Sequence, residues 1–313
     1  MVGRKVGIVG AGFVGATAAY SLAMLGTCHE VVLYDINTDI AIGKAIDIGQ
    51  STSYSPKGTI VTAAKDASEL SGCDIVVITA GVPRKSDMTR EDLLLINAKI
   101  IKDVVGNIMK YSPEAIILCV SNPLDVMTYV VHKMTGWDRS RIIGMAGALD
   151  GSRMAYQIHK IVGYGAGQIK AMVIGDHGQN MLSLPHISTV GGVPLDQLIS
   201  KDDMDAIIER TKNGGAQIVK HLGTSAYYAP GRAISVMVEA ILDDSRIVMP
   251  SSVILDGEYG YSDVSVGVPI VLGACGVQNI IELDLDDDLK SKFKISVESI
   301  KDGIKILEDN NFF

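Results

Sequence analysis

Three glycines, Gly10, Gly12 and Gly15, follow the apolar run of residues 5–9 and open a helix-compatible stretch that starts at Phe13. With 33 glycines in 313 residues the Gly-x-Gly-x-x-Gly spacing is weak by itself, and its place between a strand and a helix gives it meaning. There the first glycine permits a tight turn, the second lets backbone N–H groups approach a pyrophosphate, and the third allows close helix–strand packing. Asp35 lies 20 residues after Gly15, at the end of the next strand-like run, residues 30–34. A carboxylate there accepts hydrogen bonds from both ribose hydroxyls and repels a 2′-phosphate, which favours NAD over NADP. Taken alone, the pattern also fits a structural glycine turn with Asp35 as an ordinary helix cap.

Two further groups have the residue types for chemistry. Gly175-Asp176-His177-Gly178 ends the apolar run 171–174, and its flanking glycines leave an uncrowded imidazole that can give and take a proton near neutral pH. Asp150 and Arg153 stand three residues apart at one helix start, so one can orient a base while the other grips a substrate. Residues 82–89 form a polar loop holding Arg84 and Lys85, with Arg90 opening the next helix. In an acidic chain this is a local cationic patch, and guanidinium groups bind carboxylates bidentately. A loop of this kind can close over a bound acid and exclude water. Read singly, His177 also fits a packed residue, Asp150 a helix N-cap, and the loop a solvated surface. His29, His132, His159, His186 and His221 have no zinc-type spacing with other ligand types, so no metal is expected.

These groups act together only if the fold brings strand ends to one place. Runs rich in β-branched residues recur at 5–9, 31–34, 59–62, 75–79, 116–120 and 142–143, mostly unbroken, as a parallel sheet covered on both faces requires. Helix-compatible stretches lie between them at 13–25, 41–50, 91–109 and 124–134, the last with Pro123 suited to the first helical position. The alternation predicts a doubly wound parallel sheet, which binds ligands at the carboxyl ends of its strands. After about Gly144 the pattern changes. A helix at 152–161, strands at 171–174 and 182–188, helices at 203–222 and 233–242, strands from 247 to 272 and a closing helix at 289–307 predict a mixed α+β second domain. The expected division is 1–144 for the nucleotide and 145–313 for the substrate.

Composition narrows the partners. The hydrophobic fraction is 47%, enough for a sizeable core, and the net charge is -8, from 36 acidic against 28 basic residues. No Lys/Arg-rich block offsets it, so nucleic acid is not expected as a partner. Apolar runs fall far short of the ~18 residues needed to span a bilayer, and no membrane partner is expected. Cys28, Cys73, Cys119 and Cys275 are far apart without a Cys-x-x-Cys pair, and the N-terminus enters a strand pattern at once. Reduced thiols and a cytoplasmic location are expected.

Taken in order, the runs 9–15, Thr79-Ala80-Gly81, Ser121-Asn122-Pro123, Leu149-Asp150 with Arg153, and 175–178 resemble the NAD-dependent 2-hydroxy-acid dehydrogenase superfamily of lactate and malate dehydrogenases. The similarity extends over essentially the whole chain. It implies a Rossmann-type doubly wound sheet followed by an α+β catalytic domain. It also implies His177 as acceptor of the substrate hydroxyl proton and Asp150 as the carboxylate that holds the imidazole. Arg153 matches the arginine that pairs with the C1 carboxylate, Arg90 the one that polarises the C2 oxygen, and Asn122 the asparagine that helps hold substrate near the nicotinamide. Cofactor contacts are implied for Gly10, Gly12, Phe13, Val14, Gly15, Asp35, Thr79, Ala80, Gly81, Asn97, Val120 and Asn122.

Members acting on lactate usually carry glutamine at the position of Arg84, and those acting on malate carry arginine. The resemblance therefore implies a dicarboxylate, malate or oxaloacetate, because pyruvate would leave the Arg84 guanidinium unpaired. L-lactate or another 2-hydroxy acid is the alternative within the same chemistry. A non-catalytic NAD-binding or structural protein is the alternative of another class. A homodimer or homotetramer and a place in the tricarboxylic acid cycle are also implied. Two departures stand out: Ser86-Asp87 replaces the usual Pro-Gly, and Asp176 replaces the usual glycine or glutamate, where its charge is expected to favour imidazolium.

Overall fold

Val6, Ile8, Val31, Leu33, Val76, Ile78, Ile117 and Leu118 are all fully enclosed, so neither face of the strands that carry them meets water. The structure is a computed structural model that describes residues 4–83 and 88–313. Strands β1 (Lys5–Val9), β2 (Glu30–Tyr34), β3 (Ile60–Ala63), β4 (Ile75–Ile78), β5 (Ile116–Cys119) and β6 (Ile142–Gly144) are joined by α1 (Phe13–Leu25), α2 (Thr38–Ser51), α3 (Arg90–Tyr111) and α4 (Leu124–Thr135). All pair in parallel, in the order β3-β2-β1-β4-β5-β6. The chain winds outward from β1 to β3 and then returns to the other side of β1, which opens a crevice beyond the carboxyl ends of β1 and β4. This is the doubly wound sheet expected from the unbroken apolar runs.

The second half contributes α5 (Gly147–Val162), β7 (Ile169–Lys170), β8 (Val173–Ile174), β9 (Leu182–Ser183), β10 (Thr189–Val190), β11 (Val193–Pro194), α6 (Lys201–Leu222), α7 (Tyr228–Leu242), β12 (Ile247–Asp256), β13 (Ser262–Gly273), β14 (Gly276–Ile280) and α8 (Asp287–Asp309). Antiparallel β12, β13 and β14 extend the parallel sheet beyond β6, with Ser252 opposite Gly144, into one sheet of nine strands. The seam is tight. A Cβ at Gly144 would lie 2.5 Å from the Thr128 hydroxyl and 2.8 Å from Ser252 Cβ.

Local departures from the sequence reading have local causes. The helix expected from Ser152 begins at Gly147. Gly147 and Gly151, one turn apart, let its first turns lie against Pro250 and the carbonyl oxygens of Val173 and Ala171, where an added Cβ would come within 2.7, 2.8 and 3.0 Å. The strand expected over 182–188 ends at Ser183, because Pro185 starts a 3-10 turn. The run 171–174 yields only Val173–Ile174, and the helix expected from Ala233 begins five residues earlier, at Tyr228. Strands β10, β11 and β14 are too short for a period to stand out. The closing helix follows its spacing: Phe293, Val297, Ile300, Ile304 and Leu307 are buried, and Asp286 caps it by accepting from Leu289 N at 2.8 Å. Among the described residues no helix is long and apolar enough to cross a membrane.

Candidate active site

The glycine loop turns sharply at the end of β1. Gly10 has φ 105°, its N–H donates to Tyr34 O at 2.7 Å, and Thr79 Oγ1 donates to its carbonyl at 2.9 Å. A Cβ on Gly15 would sit 1.9 Å from Gly10 O, so only glycine lets α1 start this close to the strand. No side chain caps α1 and a Cβ at Gly12 would meet only open space, which leaves the helix N-terminus accessible to an anion. Asp35 is pinned beside the loop: Oδ2 accepts from Ala11 N at 2.7 Å and Oδ1 from Asn37 N at 2.9 Å. Each oxygen keeps a lone pair for a ribose hydroxyl. The residues present thus fit a dinucleotide with a free 2′-hydroxyl.

At the carboxyl ends of β4 and β5 the buried Asn97 of α3 works as a clamp. Its Oδ1 accepts from Val82 N at 2.8 Å, while its Nδ2 donates to Val82 O and, at 2.7 Å, to Asn122 O. Ser121 Oγ donates to Ala80 O at 2.5 Å. The segments carrying Thr79, Ala80, Gly81, Val120 and Asn122 are therefore tied to one another. Asn122 itself is exposed and joined to Pro123 by a cis peptide bond.

The Asp150, Arg153 and His177 side chains come together from α5 and the turn after β8. Asp150 is 2% exposed at its side chain and bonds both neighbours: Oδ1 accepts from Arg153 Nη1 at 2.7 Å and Oδ2 faces His177 Nδ1 at 2.7 Å. An ionised carboxylate accepting there places a hydrogen on Nδ1, so Nε2 is the nitrogen left to exchange a proton. Burial alone would disfavour the imidazolium. The adjacent Asp150 charge and hydrogen bond, reinforced by Asp125, outweigh burial and Arg153 and hold His177 above its ordinary range. The favouring of imidazolium that the sequence suggested for Asp176 thus comes chiefly from Asp150 and Asp125. Asp176 is engaged by Asn180 Nδ2 at 3.1 Å.

Arg90 stands exposed at the first residue of α3, whose capping box is formed by Thr89 and Asp92, and no ion pair among the described residues holds it. Arg84, Lys85, Ser86 and Asp87 lie outside the described residues. Among the described residues no cluster of His, Cys, Asp and Glu is arranged to hold a metal ion.

Sequence reasoning missed two features. Asp125, in the first turn of α4, accepts from the backbone N–H of His177 at 2.7 Å, yet in sequence it is merely an acid at a helix start. Gly214 and Gly215 lie mid-way along α6, where each costs about 1 kcal/mol relative to alanine. Their missing side chains make room for Arg153: a Cβ at Gly214 would touch its Cδ and one at Gly215 its Nη2, both at 3.5 Å. Two adjacent glycines inside a helical pattern were a legible signal of that close approach.

Known proteins share this chain's sequence and fold. Residues 4–144 match the lactate/malate dehydrogenase NAD binding domain, and residues 147–310 match the lactate/malate dehydrogenase alpha/beta C-terminal domain. The chain is 54% identical to a malate dehydrogenase of Sulfurimonas denitrificans over 99% of its own length and 98% of the relative's. The malate dehydrogenase structure from Salinibacter ruber superposes with a TM-score of 0.93 at 41% identity, covering 98% of this chain and 100% of that one. A lactate dehydrogenase from Cryptosporidium parvum, solved with lactic acid and β-nicotinamide adenine dinucleotide, has a TM-score of 0.93 at 35% identity, over 98% of this chain and 99% of the other.

Proposed function

This chain belongs to the lactate/malate dehydrogenase family of NAD-dependent oxidoreductases, and from that premise we propose that it interconverts (S)-malate and oxaloacetate through a proton relay of His177 and Asp150. The observation that carries this reading is the pair of 2.7 Å contacts through which one buried carboxylate orients both an imidazole and a guanidinium. NAD, when bound, supplies the acceptor for the hydride leaving C2. His177 Nε2 takes the hydroxyl proton as the C2–O bond becomes a carbonyl, and Asp150 stabilises the resulting imidazolium. In the reverse direction the same proton returns to the oxygen. Arg153 pairs with the C1 carboxylate, Arg90 stabilises charge developing on the C2 oxygen, and Asn122 holds substrate against the nicotinamide side of the crevice. Cofactor contacts are assigned to Gly10, Gly12, Phe13, Val14, Gly15, Asp35, Thr79, Ala80, Gly81, Asn97, Val120 and Asn122.

Arg84 is the proposed receptor for the second carboxylate. Arg84→Gln is expected to move kcat/KM from oxaloacetate towards pyruvate by about 100-fold or more in ratio, because a desolvated guanidinium–carboxylate pair is worth about 3 kcal/mol. The decisive assay is a steady-state panel of oxaloacetate, pyruvate and branched 2-oxo acids, run with NADH and NADPH. An unchanged preference in the variant removes Arg84 from this role, and equal rates with NADPH remove Asp35 from its own. A second substitution tests the seat of Arg153. Gly215→Ala adds a methyl in ordinary contact and is expected to keep the wild-type KM. Gly215→Val crowds the guanidinium and is expected to raise the KM for oxaloacetate about tenfold, a loss of about 1.4 kcal/mol.

We assign 1–144 to the nucleotide and 145–313 to substrate and acid–base chemistry. We also propose a role in the tricarboxylic acid cycle, supported by the malate–oxaloacetate interconversion proposed above. A cytoplasmic setting is supported by four cysteines that are all free. Assembly as a homodimer or homotetramer is supported by α2, whose Ile40, Ile42 and Ile46 stand at least 40% exposed on one helix.

A further inference from the structure

The carboxylate of Asp125 lies between the two halves of the chain. It stands in the first turn of α4, three residues beyond Asn122, while its bond at 2.7 Å reaches the backbone N–H of His177 beyond β8. Its own carbonyl accepts from Ser265 Oγ of β13 at 2.5 Å. The second carboxylate oxygen is buried near the Ser252 hydroxyl of β12 without a formed hydrogen bond. A backbone N–H needs only a neutral acceptor, and an amide or hydroxyl would serve. A full negative charge, buried and partnered at one oxygen, is costly for structure alone and is the kind of group that gathers where chemistry is tuned.

We propose that Asp125 is a positioning residue for proton transfer, fixing the backbone of His177 from the nucleotide-binding side and setting, with Asp150, how firmly the imidazole keeps its proton. The inference rests on the reading of His177 as the proton-exchanging group. A charge-assisted hydrogen bond to the main chain fixes where the imidazole begins, as the Asp150 contact fixes where it points. The charge acts as well. His177 faces Asp150 and Arg153 of α5 on one side and Asp125 of α4 on the other, with Asp176 beside it in the chain. Asp125 in turn faces His177, Asp176, Ser252 and, at the end of β5, Cys119, whose thiol burial pushes up to about 12 and keeps neutral. Two carboxylates thus favour the imidazolium against one guanidinium that opposes it.

Burial pushes Asp125 up to about 6, although the His177 N–H and the imidazole itself pull the other way. Above that range it is an anion and strengthens the hold on the imidazolium proton. Below it the charge is lost and His177 releases its proton more readily. Each group thus favours the charged form of the other.

The test uses the full-length protein with Asp125→Asn, whose amide oxygen can still accept from His177 N while the charge is gone. The imidazole is followed by NMR after histidine labelling, with His177→Asn assigning its resonance. The pH profile of kcat/KM for oxaloacetate reduction is measured alongside. The expected result is a fall of about 0.5–1 pH unit in both the imidazole titration and the alkaline limb of the profile, with NADH affinity unchanged. Asp125→Ala, which loses the acceptor too, is expected to cost a further tenfold or so in kcat that the asparagine variant largely restores. An imidazole titration unmoved in Asp125→Asn overturns the inference. A moved titration with an unmoved kinetic limb overturns instead the role of His177 on which the inference rests.

Discussion

Asparagine at His177 is expected to lower kcat in both directions by about 10³-fold while leaving the affinity for NADH unchanged. The amide can still meet Asp150, so the pocket keeps its shape, yet it cannot carry a proton to or from the C2 oxygen. Stopped-flow absorbance of NADH with oxaloacetate gives the hydride step, and NADH fluorescence titration gives binding. Loss of binding together with rate would make His177 a structural residue. The pH dependence of the unmodified enzyme follows from the same imidazole. In the proposed relay reduction needs the protonated form, and the pair with Asp150 holds His177 above its ordinary 6.5. Reduction is therefore expected to be level at acid pH and to fall as pH rises through that raised value, while oxidation of malate rises over the same range.

Arg153→Met carries the second large effect. In the proposed role Arg153 anchors a carboxylate in a largely buried site, and its loss costs about 3 to 4 kcal/mol, so kcat/KM for oxaloacetate is expected to fall by about 10²- to 10³-fold. Lysine at the same position keeps the charge but not the planar fork, and should recover only part of the loss. The sign of the accompanying pH shift distinguishes anchoring from general damage. Arg153 opposes the charge on His177, so its removal should move the alkaline limb of the residual activity upward, whereas Asp125→Asn should move it downward. Steady-state profiles of the two variants, measured side by side, check that opposition. A downward limb in Arg153→Met as well would mean that Arg153 does not act through the imidazole.

Asp125 also has a cost in stability. Its value of about 6 in the folded chain exceeds the ordinary 3.8, so the stability present below 3.8 is lost as pH rises through about 6. The loss is on the order of 3 kcal/mol. Asp125→Asn should accordingly raise the melting temperature at pH 8 even as it alters the kinetic profile, a pairing of gain and loss common at functional sites.

The parallel half of the fold was legible because buried parallel strands must be unbroken apolar runs. Residues 5–9 and 75–79 have no other economical reading, and the strand–glycine–helix order located the nucleotide end at once. The second half was harder to read because β7 to β11 are only two residues long each and its helices are set by neighbours. Nothing local marks Gly147 as a helix start; the crowding of Pro250, Val173 and Ala171 does. His177, Asp150 and Arg153 could be singled out by type, but only folding brings α5 against the turn after β8, and 27 residues separate the two ends of the central hydrogen bond. Asp125 escaped notice because its role is exercised on a backbone atom 52 residues away, which no side-chain pattern reports.

Because β6 pairs with β12 at Gly144 and Ser252, the two halves of the chain share one sheet rather than meeting as separate bodies. Such a molecule is poorly suited to evolution by exchange of modules. A foreign nucleotide-binding half would have to supply a last strand of the same register, a residue without Cβ at the junction and a helix whose first-turn carboxylate reaches the His177 backbone. Change at one half must instead accumulate residue by residue, in step with the other.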